Sequence, residues 1–436
     1  MINSTSKNLL SFIKNSPSAF HSIASIKKVL KREGFIELNE SELFNLELSK
    51  KYYVTRNDSS IIAFKIAPEL DNYSFNIVAS HSDSPSFKVK PVSDLHTGYY
   101  HKLNVEAYGG MLCATWFDRP LSIAGRLILK KDNKIISKLV NFDKNVASLP
   151  SIPIHFNREA NSGFNYNLAV DMVPTISSEK TTFKEYLANY FQEDVNDIVS
   201  YDLYLYNRQE GYFWGMNDEY MSSSKLDDLQ CAYTTLMGFV KAENKHNVSV
   251  YCCFDNEEVG STTRQGANST FLEDVLNRVS ISLNKTKEQH LQALAKSFMV
   301  SADNAHAVHP NHPELTDMVN NVSMNSGIVI KYNASQSYTS DAISGSIFKS
   351  ICDNAEVPTQ VFTNKSNIRG GSTLGNISAT HVSVMSIDIG LAQLAMHSAM
   401  ETSGTLDNDY MVKAIKEFYE SYLTIDENSN YVIKAL

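Results

Sequence analysis

The sequence predicts an α/β protein: a helix-covered, mostly parallel sheet with an inserted β-rich domain. Four apolar segments of strand length each end in a polar loop, and helical periodicity separates them; they are residues 73–79, 248–254, 298–302 and 382–388. Near-continuous apolar strands that alternate with helices are typical of parallel sheets covered on both faces. Because ligands of such sheets gather at the carboxyl ends of strands, the polar loops are the expected position of a functional site.

Helices are predicted where apolar residues recur every three or four positions. This spacing occurs in residues 20–30, 226–240 and 410–423. Ser16 or Ser18 is the expected N-cap of the first of these helices. The segment after the fourth strand is also expected to form a helix, which would contain His397.

The stretch between about residues 91 and 215 has a different pattern. Ser122 to Val140 is typical of a β-hairpin with its turn at Asp132-Asn133, and the one clear helical stripe runs from Thr182 to Phe191. We therefore expect two domains. Their residues are 1–91 with 216–436 for the α/β domain, and 92–215 for the inserted β-rich domain.

Composition excludes several classes of protein. Of the 436 residues, 43% are hydrophobic and 20% are charged, which excludes wholesale disorder. The formal net charge of -9 argues against nucleic acid or an anionic membrane as the main partner. The five cysteines are scattered and form no disulfide framework or Cys-x-x-Cys clip, so we expect reduced thiols. With no apolar run of membrane-spanning length and no signal-peptide core, the protein is expected to be cytoplasmic.

Imidazole and carboxylate side chains follow the predicted strands or lie in the helices next to them. They are His81 with Asp83, Asp227 with Asp228, Glu257 with Glu258, Asp303 with His306, and His397. Zinc, manganese and cobalt accept such nitrogen and oxygen ligands. A site for two ions needs a carboxylate that bridges them at roughly 3.5–4 Å, further ligands on each ion, and one free carboxylate to act as a base.

In two of these pairs, the two residues could have different roles in a metal site. Neighbouring Glu257 and Glu258 point in different directions at a strand end, so one can bind metal while the other serves as the base. Asp83 lies two residues after His81 and returns to the same face of an extended chain, where it could fix the orientation of the imidazole. Each signal alone has a simpler interpretation, such as a surface histidine, a solvated Glu-Glu pair or a turn. Their combination in one α/β domain favours a metal site.

At these residues the sequence closely resembles the aspartyl aminopeptidases, a family of two-metal metallopeptidases. The segments that carry the resemblance occur in the family's order and span most of the chain. They are Ser80-His81-Ser82-Asp83-Ser84-Pro85, Ser223-Ser224-Lys225-Leu226-Asp227-Asp228, Asp255-Asn256-Glu257-Glu258-Val259-Gly260-Ser261, Ser301-Ala302-Asp303-Asn304-Ala305-His306 and Gln393-Leu394-Ala395-Met396-His397-Ser398.

The resemblance implies roles for seven residues of these motifs. The implied metal ligands of the two ions are His81, Asp227, Glu258, Asp303 and His397. Asp227 would bridge the ions, His81 and Asp303 would complete one, and Glu258 and His397 the other. Glu257 would be the general base, a choice over Glu258 that comes from the family, and Asp83 would orient His81. The ions are expected to be zinc, with manganese or cobalt as alternatives.

The resemblance also reaches the inserted domain and the substrate pocket. His155 falls on a family histidine that enters the active site of a neighbouring subunit and steadies the oxyanion. The resemblance also implies a homo-oligomer, a dodecamer built from dimers, with the inserted domain as the oligomerisation domain. Lys331 falls on a family lysine near the pocket and would pair with an acidic side chain of the substrate. Without the resemblance, His155 is interpreted as a structural histidine and Lys331 as a surface lysine.

The expected function is removal of an N-terminal residue, Asp or Glu, from peptide substrates by metal-assisted hydrolysis. A two-metal aminopeptidase with non-acidic specificity, or a deacylase, would use the same ligands and remains the alternative. A shell-forming scaffold without activity predicts damaged ligands, yet every expected ligand type is present. A nucleic-acid-binding role has no basic patch to support it.

Overall fold

A computed structural model describes residues 3–71, 73–368 and 370–435. Its helices are α1 (Ser4–Lys14), α2 (Ala19–Arg32), α3 (Phe183–Phe191), α4 (Leu226–Lys241), α5 (Phe271–Ser282), α6 (Lys287–Ala295), α7 (Ala342–Asn354), α8 (Leu374–Ser378) and α9 (Asp407–Glu420). The predicted helices correspond to α2, α3, α4 and α9 and are confirmed, except that α9 ends at Glu420 and residues 421–423 begin a strand. Ser18 is the N-cap of α2, as one of the two predicted candidates.

The strands of the described residues form four separate sheets. In the first half of the chain they are β1 (Ile36–Leu38), β2 (Lys51–Arg56), β3 (Ser60–Ile66), β4 (Phe75–His81), β5 (Ser86–Thr97), β6 (Tyr100–Tyr108), β7 (Leu121–Lys131), β8 (Lys134–Asn141), β9 (Thr175–Ser177), β10 (Ile198–Asn207) and β11 (Tyr212–Trp214). In the second half they are β12 (Tyr220–Ser223), β13 (Val248–Phe254), β14 (Phe298–Ala302), β15 (Ala305–His306), β16 (Ile328–Tyr332), β17 (Thr359–Thr363), β18 (Met385–Gly390), β19 (Ala392–Leu394), β20 (Glu401–Gly404), β21 (Ser421–Ile425) and β22 (Tyr431–Ala435).

The central sheet has nine strands in the order β1-β2-β3-β13-β4-β14-β18-β16-β17. Its middle is parallel, because β4 pairs in parallel with β13 and β14, and β14 with β18. The four predicted apolar strands are β13, β4, β14 and β18, and they are adjacent in this sheet. The mostly parallel α/β fold is therefore confirmed, and the polar residues that follow these strands meet at one edge.

Both faces of the central sheet are buried. Successive residues of β4 alternate between two cores: Val78 packs with α1, α2, α4, α7 and α9, whereas Ile77 and Ala79 pack with α5, α6 and α8. All seven residues of β4 and all seven of β13 are buried. Burial on both faces explains why these strands are apolar throughout instead of alternating in polarity.

A six-stranded antiparallel sheet, in the order β8-β7-β10-β5-β6-β9, packs with α3 around a third core. The predicted hairpin is confirmed, since β7 pairs with β8 and the two strands enclose Asp132 and Asn133. β5 runs from Ser86 to Thr97 and so crosses the position between residues 91 and 92. The proposed domain division at that position stays a prediction.

The expected helix around His397 is wrong. β19 and β20 belong to a five-stranded sheet in the order β11-β12-β20-β19-β15, and His397 lies in the turn between them. Ala395 and His397 both have positive φ angles, 55° and 67°, which an α-helix cannot contain. The composition of this turn favours a helix, but the pairing of β19 with β20 determines its conformation.

Helix α4 begins at a pair of acidic residues and ends against a buried lysine. Its first turn carries Asp227 and Asp228, which are joined by a cis peptide bond. At its other end, the buried Lys65 of β3 donates hydrogen bonds to the carbonyl groups of Phe239 and Ala242. The C-terminal carbonyls of a helix lack intrahelical partners, so Lys65 satisfies groups that the helix itself cannot.

The five cysteines are free thiols, and four of them are buried, as expected from their scatter. Within the described residues, no helix is both long and apolar enough to cross a membrane.

Candidate active site

The carboxyl ends of the central strands bring the predicted site residues together. His81 is the last residue of β4, Glu257 and Glu258 follow β13 in a short 3-10 helix, and Asp303 follows β14. Asp227 reaches the same place from the first turn of α4. His397 arrives from the five-stranded sheet, so the cluster also depends on a contact between two sheets.

In the part of the chain that the structure describes, three groups of side chains have ligand atoms within 4.8 Å of one another. They are His81 with Asp227, Asp228 and Asp303; His81 with Glu257 and Glu258; and Asp227 with Glu258 and His397. Asp227 belongs to the first and third groups and lies between them. Its Oδ1 is 3.4 Å from His81 Nε2, and its Oδ2 is 3.3 Å from His397 Nε2.

The carboxylate of Asp83 holds several of these residues. Its Oδ1 lies 3.3 Å from His81 Nδ1, on the side of the ring that faces away from Asp227. Its two oxygens also accept the backbone N–H groups of Glu257 and Glu258, each at 3.2 Å. Tyr108, at the end of β6, donates its hydroxyl to Asp83 Oδ2 at 2.6 Å. Sequence reasoning paired Asp83 with His81 but missed Tyr108, which comes from a different sheet.

The imidazole of His397 is oriented by the backbone of Gly110. His397 Nδ1 lies 2.5 Å from the Gly110 carbonyl oxygen, so Nε2 faces Asp227 and Glu258. The neighbouring Gly109 has a φ of 74°, and a Cβ atom there would lie 3.0 Å from the Cβ of Glu258. Glycine therefore allows this segment to approach the site closely.

A second carboxylate that the sequence analysis missed is Glu401, the first residue of β20. Its Oε2 accepts the N–H of Asp227 at 3.0 Å, and its Oε1 accepts the N–H of His397 at 2.7 Å. Only 1% of Glu401 is exposed. The spacing of four residues between His397 and Glu401 was visible in the sequence, but nothing there indicated that the chain would turn back between them.

Burial and mutual repulsion dominate the electrostatics of the cluster. Burial raises the pKa of Glu257 to about 8, with Asp303, Asp83 and Asp227 contributing and His81 opposing. Burial and then Asp227 raise the pKa of Glu401 to about 8. Burial lowers the pKa of His397, but its contact with Asp227 raises it more, to about 9.

Of the remaining carboxylates in the cluster, three have raised pKa values and Asp227 has a lowered one. Burial raises the pKa of Asp303, and it raises the pKa values of Asp228 and Glu258 far above the usual range. Burial also opposes ionisation of Asp227, yet the two imidazoles that contact it lower its pKa overall. Asp227 is therefore the carboxylate that most readily stays charged between two histidines.

The donor set fits divalent metal ions. Asp227 Oδ1, Asp228 Oδ1 and Glu258 Oε1 are buried oxygens for which the described residues provide no hydrogen-bond donor. Buried polar atoms without partners are costly, and cations bound in the first and third ligand groups would lie next to these oxygens. Imidazole nitrogen and carboxylate oxygen are ligands that zinc accepts in tetrahedral or expanded sites.

The cluster opens into a cavity of about 200 Å³. Its lining residues include Asp227, Glu257, Asp303 and His397 from the cluster, but not Glu258. Further side chains on its wall are those of His306, Lys331, Tyr338, Phe362 and Thr373. His306, considered among the candidate ligands, thus lies in the wall of the cavity and outside the three ligand groups.

Lys331 is 2% exposed and is no surface residue. Its Nζ donates to the carbonyl oxygen of Asn304 at 2.8 Å and lies 5.5 Å from the ring centre of Tyr338. Burial lowers the pKa of Lys331, but Asp303 and other nearby groups raise it more, so the side chain is charged at neutral pH.

His155 is not part of this cluster. It lies in an exposed turn between β8 and β9, and it does not line the cavity. The same stretch exposes Ile152, Ile154 and Phe156. Within one chain, therefore, seven of the nine predicted site residues form the cluster, Lys331 lies in the wall of the adjoining cavity, and His155 lies elsewhere.

Sequence comparisons identify the family of this chain. A family model described as "Aminopeptidase I zinc metalloprotease (M18)" matches residues 12–419. A protein of Clostridium novyi (strain NT) named "Probable M18 family aminopeptidase 2" is 46% identical over 421 residues, which are 94% of this chain and 97% of the relative. A Clostridium acetobutylicum protein of the same name is 43% identical over 423 residues, 95% of this chain and 98% of the relative.

Solved structures share the fold. The match to "Cryo-EM structure of the Ape4 and Nbr1 complex" has a TM-score of 0.92 and 33% identity, and covers 95% of this chain and 85% of that one. The match to "Structure of S. cerevesiae mApe1 dodecamer" has a TM-score of 0.83 and 26% identity, and covers 95% of this chain and 96% of that one. Because the family model and these relatives cover nearly the whole chain, the protein belongs to the M18 family of zinc metalloaminopeptidases and is a hydrolase.

Proposed function

We propose that this aminopeptidase holds two zinc ions and removes Asp or Glu from the N-terminus of peptides. The ligands would be His81, Asp227 and Asp303 for one ion, and Asp227, Glu258 and His397 for the other. The observation that supports a pair of ions is the membership of Asp227 in two separate ligand groups. Manganese or cobalt would suit the same donor set.

Glu257 is the proposed general base. It lines the cavity, whereas Glu258 does not, so Glu257 is the member of the pair with access to substrate and water. Bound divalent ions supply polarisation of the scissile carbonyl and a lower pKa of the attacking water. The Glu257 carboxylate takes one proton from the water and passes it to the nitrogen of the leaving amine, which completes cleavage of the C–N bond.

The proposed acidic specificity rests on Lys331. An ammonium group has three N–H donors, and within the described residues one of them goes to the Asn304 carbonyl. The remaining donors are available to a substrate carboxylate in the cavity. A carboxylate in this place would form a buried ion pair, whereas a neutral side chain would leave the charge of Lys331 unpaired.

His155 is proposed to act in a neighbouring subunit of a homo-oligomer. It is exposed in its own chain, and the hydrophobic side chains beside it suit burial against another copy. One of the similar structures is titled a dodecamer. We propose the same assembly here, built from dimers, with residues 92–215 as the oligomerisation domain and residues 1–91 and 216–436 as the catalytic domain. His155→Ala should then lower kcat without changing zinc content or the mass of the assembly.

The test of this function is hydrolysis of matched peptides that begin with Asp, Glu, Leu or Lys by zinc-loaded protein. Glu257→Gln is the control, because it keeps the size of the side chain and removes the base. We expect cleavage of the Asp and Glu peptides, and a rate at least about 100-fold lower in the variant, as is usual when general base catalysis is lost.

Two other results would change the conclusion. Preferential cleavage of Leu or Lys peptides would retain the two-metal mechanism and refute the acidic specificity. Cleavage of N-acylated substrates in place of free N-termini would favour a deacylase.

A further inference from the structure

Glu401 joins two of the proposed metal ligands through their backbones. Asp227 and His397 are distant in sequence and belong to different elements, α4 and the turn between β19 and β20. One carboxylate accepts the N–H groups of both, at 3.0 and 2.7 Å. Glu401 thus links the backbones of the two ligands, and it does so without lining the cavity next to the cluster.

The sheet determines where Glu401 lies. β20 pairs with β12, and Glu401 is opposite Ser223, four residues before Asp227. This register places the Glu401 carboxylate next to the start of α4, where the first N–H groups of a helix have no intrahelical partner. A side-chain oxygen is the favoured acceptor for such groups.

The conformation of His397 requires such support. A φ of 67° lies in the left-handed region, which is strained for a residue other than glycine. The hydrogen bond from its N–H to Glu401 offsets this strain and holds the turn in the shape that aims Nε2 at Asp227.

We infer that Glu401 is a positioning residue for the metal centre, which sets the separation of Asp227 and His397. It does not touch the substrate or the reacting atoms. The role requires two acceptor oxygens at the length of a glutamate. Glutamine would turn an NH₂ group towards one of the two N–H groups, and aspartate is too short by one methylene to reach both. The inference rests on the proposed metal centre.

The experiment measures zinc affinity by competition with a chelator, together with the visible absorption of the cobalt-substituted protein. It compares the full-length wild type with Glu401→Gln and Glu401→Asp. Loss of a residue that orients metal ligands typically weakens metal binding about 10–100-fold. We expect a loss of this size in both variants and a shifted cobalt spectrum, which reports the ligand geometry directly.

Asp407→Asn is the matched control. Asp407 is also fully buried, and its two oxygens also accept two backbone N–H groups, those of Asn325 at 2.6 Å and Gly327 at 2.9 Å. The chemical change is the same as in Glu401→Gln, but Asp407 does not hold a proposed ligand. Its variant is expected to lose stability and to keep the zinc affinity and cobalt spectrum of the wild type.

Three results would overturn the inference. Unchanged zinc affinity in both Glu401 variants would refute the positioning role alone. Equal loss of zinc affinity in Asp407→Asn would show that the Glu401 variants lose zinc because they are generally destabilised, and would refute a specific positioning role. Failure of the wild type itself to bind zinc would refute the proposed metal centre, and the role of Glu401 with it.

Discussion

Tyr108 donates its hydroxyl to Asp83 at 2.6 Å, and this bond joins the six-stranded sheet to the active site. The same Tyr108 oxygen accepts a hydrogen bond from Asn256, the residue before Glu257. One phenol therefore supports both the residue that contacts His81 and the loop that contains Glu257.

Tyr108→Phe should lower kcat by about 10-fold and the stability by about 1–3 kcal/mol, because Asn256 and Asp83 each lose a buried partner. The remaining N–H donors to Asp83 should keep it in place, so zinc content should stay at the wild-type value. Steady-state kinetics and urea unfolding of the zinc-loaded protein measure the two effects. Wild-type kcat in the variant would contradict a role for this bond.

Lys331→Met should remove the preference for acidic N-termini. Loss of the buried ion pair with the substrate should lower kcat/KM for Asp peptides roughly 30–160-fold, which corresponds to about 2–3 kcal/mol of transition-state stabilisation. Leu peptides should be cleaved at least as well as by the wild type, because methionine leaves no unpaired charge in the cavity. Zinc content must be measured in parallel, since Lys331 also lies near Asp303. An equal loss for Asp and Leu peptides would contradict the proposed specificity.

Asp388→Asn should loosen two loops beside the cavity. The buried Asp388 carboxylate accepts the hydroxyl groups of Thr339 at 2.8 Å and Thr373 at 2.6 Å, one on each loop. Asparagine can accept from only one of them, so we expect a destabilisation of about 1–3 kcal/mol and a KM raised several-fold. Hydrogen exchange should accelerate in residues 334–340 and 370–375. Unchanged exchange in both segments would show that Asp388 does not hold the loops.

His21 should make the protein sensitive to acid. Burial, with Lys225 and Lys28 nearby, lowers its pKa from 6.5 to about 4. A lowered folded-state pKa means that the unfolded chain binds the proton more readily, so stability is lost as pH falls from about 6.5 towards 4. His21→Gln removes this titration.

Urea unfolding at pH 7 and pH 4.5 measures the effect of His21. The wild type should lose about 2–3 kcal/mol more than His21→Gln between these two pH values. Other groups titrate in both proteins and cancel in the comparison. Equal losses would contradict the lowered pKa.

The sequence predicts the central sheet and the ligand cluster well because both follow from local patterns. Four apolar segments ending in polar residues indicate adjacent parallel strands, and adjacency brings His81, Glu257 and Asp303 to one edge. No such pattern exists for Tyr108 or Glu401. Each acts through a contact between sheets, which depends on tertiary packing and leaves no periodic signal in the chain.

The turn at His397 shows the limit of local propensity. Ala395, Met396 and Ala399 favour a helix, yet strand pairing on both sides and the bond to Glu401 impose left-handed backbone at Ala395 and His397. His155 shows a different limit. Its expected role comes from the resemblance, and it requires a second subunit that no local pattern describes.

The position of Asp227 also depends on the far end of its helix. α4 has 16 residues, which corresponds to a length of about 24 Å. Glu401 accepts the N–H of Asp227 in its first turn, and Lys65 donates to the carbonyl groups of Phe239, in its last turn, and of Ala242, just beyond it. α4 is therefore a spacer of fixed length between β20 and β3, clamped at both ends by side chains of neighbouring sheets. The anchoring of the helix that carries Asp227 therefore involves contacts at both of its ends, including a buried lysine remote from the ligand cluster.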